Sequence, residues 1–528
     1  MSSAGAMVIG HSPPPFLTML NRRQFMHQGL AVAGTFSLGS AFWQRAYGAP
    51  ATPGPSPYGE LVGPDENGLF LPPGFRSRRI ARAYSPVDLA NGGVSAYVWH
   101  RAPDGGAVFP QDDGGWIYVS NSEVPIIADE CLELPVTDLC RDRGGVGAVR
   151  FDAEGNVVDA YPILRNTNNN CAGGPTPWGT WLSCEENFFG FVYECDPTSL
   201  NLARRIVPMG QFNHEAAAVD PVGQRVYMTE DQGDGAFYRY TPDRYPDLSS
   251  GVLEVLVRDD EAPVKRRNYQ PEIDAWRAAN PHVDVDEIPW KAIMPEVREA
   301  KAGKVRWERI RNPLGLPVPT RYQVAEAAIF DGGEGCWYDQ GLVYFTTKGS
   351  NRVWRYDTVT ETIDVLYDAA DAGDAAVLTG VDNLVVHQNS HDLFVAEDGG
   401  NMELVLITHE DRTVAPFLRY PVPHSELAGP AFSPDGTRLY FASQGKRHTV
   451  DEATGEEVRG EIFEVTGPFR QGRGGPGSPI DGLGGGGGAV SAAAVASLGA
   501  AALIARLRQR QAAAADLGDD PQGPAERG

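Results

Sequence analysis

The chain has 528 residues, 42% of them hydrophobic, with 45 Lys and Arg against 69 Asp and Glu for a formal net charge of −24. Such a length suits one large β domain or about three average ones, with apolar residues enough for a sizeable core. The acidic balance argues against nucleic acid and anionic membrane surfaces as partners and suits divalent and trivalent cations.

In chain order, Asn21-Arg22-Arg23-Gln24-Phe25-Met26 comes first, ahead of the weakly apolar run Gly29–Phe42 and the Ala46-Tyr47-Gly48 step. The last triplet is small at the two positions a signal peptidase reads. The pattern predicts a twin-arginine signal peptide over residues 1–48, read by the twin-arginine translocase, and hence a periplasmic or extracellular protein. These signals sit near a chain start, so Met1 and Met19 are both candidate initiators. The route exports folded proteins, often with cofactors already loaded.

Residues 49–470 read as one β domain built on a weak repeat. A short apolar-aromatic strand ending in polar residues occurs six times: WIYVSNSE (116–123), TWLSCEEN (180–187), RVYMTEDQ (225–232), LVYFTTKG (342–349), DLFVAEDG (392–399) and RLYFASQG (438–445). A second strand often follows, as in GAVRFD (147–152), AFYRYTPD (236–243), RVWRYD (352–357) and EIFEVTG (461–467). Another precedes it, as in HEAAAVDP (214–221), AEAAIFDG (325–332), VDNLVVHQ (381–388) and AGPAFSPDG (428–436). Tight Gly, Asp and Pro turns separate them. Between the third and fourth repeats lies a charged, helix-prone insertion, about 254–318. Antiparallel units repeated six times predict an all-β fold, a six-bladed β-propeller; a β-sandwich or two β domains is the alternative.

From Gln471 the composition collapses to Gly, Pro and Ser, followed by the uncharged run Ala489–Ala505 and by Arg506, Arg508 and Arg510. Residues 471–528 read as a disordered Gly/Ala-rich tail, with residues 489–505 as a weak membrane segment in the alternative reading. Six cysteines complete the inventory. Cys131 and Cys140 flank a loop-like segment and are the best disulfide pair. With no CxxC pair, a zinc knuckle is not expected.

In antiparallel strands, the start of one and the end of the next lie at the same end of a blade. His214 and Glu215 start a strand whose partner ends in Glu230 and Asp231; Glu326 starts one whose partner ends in Thr346 and Thr347; Asp382 and Asn383 start one whose partner ends in Glu397 and Asp398. Glu426 pairs likewise with Gln444, Cys171 precedes Glu185 and Glu186, and Asn121 and Glu123 end the first repeat. In a propeller these points ring one mouth of the central channel. So many carboxylates close together would repel one another, and cations remove that cost. Oxygen ligands suit calcium, magnesium, manganese or ferric iron, whereas the thiolate of Cys171 suits a softer or redox ion. Mixed metals are therefore expected. A disulfide from Cys171 to Cys184 or Cys195 is the plainer alternative.

Those same residues carry a resemblance. Asn170-Cys171-Ala172-Gly173-Gly174 with Thr176-Pro177-Trp178-Gly179-Thr180 and Cys184-Glu185-Glu186-Asn187 resembles the PhoX-type alkaline phosphatases and their wider DUF839 relatives. So do FNHEAAAVDP (212–221), YMTED (227–231), FTTKGSNRVWRYD (345–357), DNLVVHQNSHDLFVAEDGG (382–400), ELAGPAFSPDG (426–436) and the opening YGELVGPDENGLFLPPGFRSRRI (58–80). The resemblance implies a six-bladed propeller holding Fe3+ and Ca2+ in its channel mouth and hydrolysing small phosphate esters. It implies Cys171 as an iron ligand, with carboxylates from Glu185 or Glu186, Glu215, Glu326, Asp382 and Glu397. Glu230, Asp231 and Asn383 stand behind them as further metal ligands. Cys171, Glu186, Glu215, Glu326, Asp382 and Glu397 are the residues expected to carry catalysis. HEAAAVDP and the stretch around Glu326 sit closer to the broad DUF839 branch than to the best-known phosphatases. Metal-assisted in-line displacement needs no Ser, Thr or Asp nucleophile, and Lys348 and Arg352 are candidate basic helpers. A monomer is expected. A calcium-dependent hydrolase of another class, such as a lactonase, and a non-catalytic metal-braced propeller are the competing readings.

Overall fold

Short apolar strands separated by turn formers can bury their faces only by stacking meander on meander. The computed structural model of the chain describes residues 50–126, 143–259, 266–280, 289–295, 297–423, 425–446, 449–450, 455 and 457–471. The signal peptide, the Cys131–Cys140 pair and the C-terminal tail expected above lie outside them. The described residues form an all-β, propeller-like arrangement with few helices.

Four sheets stand as separate blades. The first runs Pro103–Pro110, Trp116–Ser122, Gly144–Phe151, Val157–Thr167, and the second Asn170–Pro175, Trp181–Glu185, Val192–Cys195, Arg204–Arg205. The third is Val381–Val386, Leu393–Glu397, Glu403–Ile407, Thr413–Arg419, with Thr52–Pro53 added in parallel at its outer edge. The fourth is Leu427–Phe432, Arg438–Ser443, Glu461–Thr466, and its outer strand is Arg76–Arg82 from the other end of the chain. That antiparallel pairing, reinforced by Arg78–Glu464 and Arg79–Glu461 contacts of 3.0 Å, closes the circle non-covalently.

The remaining large sheet has nine strands. It consists of two meanders, His214–Asp220 to Asp247–Arg258 and Gly333–Asp339 to Thr362–Asp368, bridged by Gly303–Arg309. The bridging strand pairs along 305–309 with 254–258 but meets the other meander only at Gly303↔Ile363 and Lys304↔Thr362. Residues 254–258, expected within the insertion, therefore complete a strand. Among the described residues, the helices of the insertion are Gln270–Ala279 and Trp290–Ile293. Among the described residues, no helix is long and apolar enough to cross a membrane.

The segment 325–332, expected as a strand, is irregular apart from single bridges at Ala327 and Phe330. The strand begins instead at Gly333, where Gly333-Glu334-Gly335 lets the backbone run in close to its neighbour.

The first strands of the meanders pack in a closed cycle: Pro103–Pro110, Asn170–Pro175, His214–Asp220, Gly333–Asp339, Val381–Val386, Leu427–Phe432 and back to the first. Their approach requires small residues. A Cβ on Gly105 would sit 2.5 Å from Ala172 Cα, and one on Gly335 2.7 Å from Asn383 Cα. Gly105, Ala172, Ala216, Gly335 and Gly429 thus line a narrow axial channel. Between meanders the core is aromatic: Phe237 stacks on Phe345 at 4.2 Å, and Phe330 meets Trp354 edge-on at 5.4 Å. Burying each such ring stabilises by roughly 1.5–3 kcal/mol, which holds the inner strands rigid around the channel.

Candidate metal centre

Each inner strand delivers its second residue to one end of the channel. These residues are Asp104, Cys171, Glu215, Glu334, Asp382 and Ala428. The hairpin partner delivers the residue that follows its last position: Glu123, Glu186, Asp231, Lys348, Asp398 and Gln444. Registers such as His214↔Glu230, Gly333↔Thr347 and Val381↔Glu397 bring the two sets level. Glu426 adds a carboxylate where Ala428 has none, opposite Asp398.

Hydrogen bonds between blades fix the ring. Asn121 donates to the carbonyls of Cys171 and Ala172 at 3.0 and 2.7 Å, and Thr346 donates to that of Asp382 at 2.6 Å. Thr229 donates to the carbonyl of Glu334. Each tie runs from two residues before a mouth residue to the inner strand of the next meander. Asn383 spans the channel: its Nδ2 lies 2.7 Å from Asp382 Oδ1 and 3.4 Å from Glu215 Oε1, and its Oδ1 accepts from Gly429 N at 2.8 Å.

Three groups have ligand atoms within 4.8 Å of one another: Asp104–Glu123–Cys171, Cys171–Glu186–Glu215 and Glu215–Glu334–Asp382. Cys171 and Glu215 each belong to two of them, so they link the groups into one chain. The Cys171 thiol donates to Glu215 Oε1 at 3.2 Å and lies 3.6 Å from Asp104 Oδ1. Burial, then the neighbouring Asp104 and Glu215, push that thiol well above its ordinary range. Burial likewise raises Asp104 to about 6, and burial with mutual repulsion raises Glu215, Glu334, Asp382 and Glu426 well above the usual carboxylate range. Glu215 is 0% exposed and its Oε2 has no hydrogen-bond partner. A buried acceptor left without a donor is costly, and a cation is the partner that suits both this oxygen and the surrounding charge. The donor set of one thiol and many carboxylates therefore fits metal ions.

Of the residues expected at the site, Cys171, Glu186, Glu215 and Asp382 come together here, with Asp231 and Asn383 beside them. Glu185, Glu230, Glu397 and Glu326 do not. Glu185 accepts from Asn168 N and Phe191 N at 3.0 and 3.1 Å. Glu397 accepts from Thr379 N and Glu403 N at 2.8 and 3.0 Å. Glu230 accepts from Ala236 N and Tyr238 Oη and pairs with Arg321 at 3.2 Å. All three bond the backbone N–H six residues on, bracing the turn into the next strand. Strand alternation then aims the following acid, Glu186, Asp231 or Asp398, into the mouth. Glu326, half-buried in the irregular segment, lies outside the three groups. Cys171, Cys184 and Cys195 are free buried thiols, which removes the disulfide alternative. Arg352 is held by Glu299 and Asp368, both at 2.6 Å, and takes no part in the ring.

Asp104 and Glu334 were missed. Asp104 lies in Pro103-Asp104-Gly105-Gly106, which reads as a turn because its residues are poor strand formers. Glu334 was masked by the strand-like AEAAIFDG before it. Spacing could have found it: mouth residues of a hairpin stand fourteen to nineteen positions apart, and Glu334 precedes Lys348 by fourteen where Glu326 precedes it by twenty-two.

The chain belongs to the family described as alkaline phosphatase PhoX, whose profile matches residues 156–189 and 187–445. It is thereby a member of a family of phosphoric ester hydrolases. Among solved structures, Pseudomonas fluorescens PhoX in complex with vanadate, a transition state analogue, aligns with a TM-score of 0.57 at 15% identity, over 79% of this chain and 98% of that one. This likeness establishes the fold. A luciferin-regenerating enzyme aligns with a TM-score of 0.36 at 12% identity, over 71% of this chain and 94% of that one. Streptogramin B lyase does so at 0.36 and 11%, over 75% and 98%. Comparison with curated proteins finds no match.

Proposed function

We propose that the protein is an exported phosphomonoesterase working with Fe3+ and Ca2+ at the mouth of a six-bladed propeller. The closed cycle of six inner strands supports the blade count, with the nine-stranded sheet counted as two blades. Cys171, Glu186 and Glu215 would hold iron, the thiolate selecting a transition metal. Asp104, Glu123, Glu334, Asp382 and Asn383 would offer the oxygens that suit calcium. Bound, such ions supply Lewis acidity and neutralise phosphoryl oxygens.

The chain's own residues set the rest. Asn383 and the inter-blade hydroxyl and amide ties keep the carboxylates from spreading apart. The channel behind them is narrow and lined by Gly and Ala where the inner strands pack closely, which supports placing the ester at the mouth. The insertion borders that mouth: Trp290 lies against Gly233, two residues past Asp231, and Arg277 covers the ring of Phe188, two residues past Glu186. It supports a wall for the ester's leaving group.

The unpartnered Oε2 of Glu215, buried where two ligand groups meet, carries the reading. Elemental analysis of the exported protein, wild type against Cys171→Ser, with rates on phosphomonoesters and phosphodiesters after calcium repletion, tests it. Iron and calcium in the wild type, iron lost in the variant and turnover of monoesters are expected. Flat rates with both metals confirmed would sink the hydrolase; calcium without iron would favour a lactonase-like enzyme.

A further inference from the structure

Five of the six hairpins end at the mouth in a group that offers oxygen: Glu123, Glu186, Asp231, Asp398 and Gln444. The Gly333–Thr347 hairpin ends in Lys348. Its Nζ lies 3.2 Å from Glu334 Oε1, within its own meander, and 3.2 Å from Asp398 Oδ2, on the next. Glu334 is buried and belongs to one of the three ligand groups. Asp398 is bridged to Glu426, which extends the acid belt toward Asp104. Lys348 therefore occupies a point flanked by carboxylates from two blades, where the regularity of the ring places a ligand and a cation between ligands.

We infer that the Lys348 ammonium is a tethered cation standing in for one metal ion, so that this chain binds one ion fewer than its ring of carboxylates could hold. An ammonium 3.2 Å from each of two carboxylates, hydrogen-bonded to Asp398 and ion-paired with Glu334, neutralises them as an ion would, but with a single charge and no dissociation. It is delivered by the backbone at folding and leaves only if the side chain swings out. Glu334 is thereby committed on one side to Lys348, which leaves its group, Glu215–Glu334–Asp382, closer to neutral around whatever ion it binds. Lys348 acts as a positioning residue, holding Glu334 and Asp398 in place across the blade boundary. Chain geometry supports this over a role as a substrate clamp, since both carboxylate partners are already within reach in the protein itself.

The inference rests on the metal-binding reading above, and metal counting separates the two. Calcium and iron per chain are measured by elemental analysis after equilibration at fixed free calcium, for wild type, Lys348→Arg, Lys348→Met and Lys348→Glu. Folding is checked by circular dichroism. Lys348→Arg keeps the wild-type count. Lys348→Glu restores the acidic pattern of the other hairpins and gains one calcium per chain. Lys348→Met leaves Glu334 and Asp398 without their cation, and its melting temperature becomes more steeply dependent on calcium than that of the wild type. A folded Lys348→Glu protein with an unchanged metal count overturns the inference. So does a Lys348→Met protein that keeps the wild-type calcium dependence of melting and shows only a raised KM for phosphate esters. A wild type that binds no metal at all overturns the metal reading itself, irrespective of the variants.

Discussion

Adjacent glutamates 185 and 186 should fail in opposite ways. Glu185→Ala leaves the buried N–H of Phe191 and the half-buried N–H of Asn168 without their acceptor. Each orphaned donor costs about 1–3 kcal/mol, so about 2–6 kcal/mol in all. For a domain of about 400 ordered residues, the usual unfolding entropy converts this to a fall in Tm of about 1 °C per kcal/mol. Glu185→Ala should therefore melt about 2–6 °C lower whether or not metal is present. Glu186 accepts from the side chains of Asn169 and Asn213, at 3.2 and 3.3 Å, and faces Cys171 and Glu215. Glu186→Gln removes a charge from a crowded buried group. In chelator it should melt at or above the wild type, because like-charge repulsion falls. With metals restored it should melt below the wild type, contain less iron, and hydrolyse a phosphomonoester at least about 10-fold more slowly, since losing a ligand typically costs at least the 10–100-fold seen for its outer-shell partners. Calorimetry in chelator and in metal, with elemental analysis of the same samples, checks both. Metal lost from Glu185→Ala but retained in Glu186→Gln would refute the assignment, as would a lower chelator Tm for Glu186→Gln than for Glu185→Ala.

Arg321 stands 3.2 Å from Glu230 and 3.1 Å from Asp234, with all three buried. Arg321→Ala strands two buried carboxylates and should cost about 3–5 kcal/mol by urea unfolding. The metal-free protein should also respond to pH. Burial raises Asp104 in the folded state to about 6, so its contribution is complete below about 4, where the unfolded carboxyl titrates, and is lost as pH climbs through about 6. Glu215, Glu334 and Asp382, also raised, extend the loss to higher pH. Melting in chelator should fall steadily from pH 4 upward, and saturating calcium should flatten the decline; a chelated protein that gains stability over pH 4–7 would contradict the crowding of the ring.

Strand content was legible because it is a local property. All six apolar-aromatic repeats, such as RVYMTEDQ and DLFVAEDG, are strands, and each ends within two residues of where its polar tail begins. The closing partner of the last blade was not legible in the same way. Arg76–Arg82 and Glu461–Thr466 are nearly four hundred residues apart, and nothing in RSRRIAR names its partner. Glu326 misled for a different reason. AEAAIFDG has the composition of HEAAAVDP, but the glycines at 332, 333 and 335 let the inner strand start later and approach Asn383 more closely.

The choice within each acidic pair is the sharpest case, because composition contains no information about it. Glu185-Glu186, Glu230-Asp231 and Glu397-Asp398 each hold two equally good oxygen ligands. What separates them is register: the first acid is the last paired residue and turns into its own blade, where a backbone N–H six residues on awaits it. The second has left the ladder and turns into the mouth. Where the first position is Ser122, Thr347 or Ser443 instead, the second is still a mouth residue, Glu123, Lys348 or Gln444. The rule is therefore one of position and not of charge. A Lys occupies it at position 348 within the same hairpin geometry that carries an acid or Gln in the other five, so the charge of the ring is set one hairpin at a time by the residue at this position.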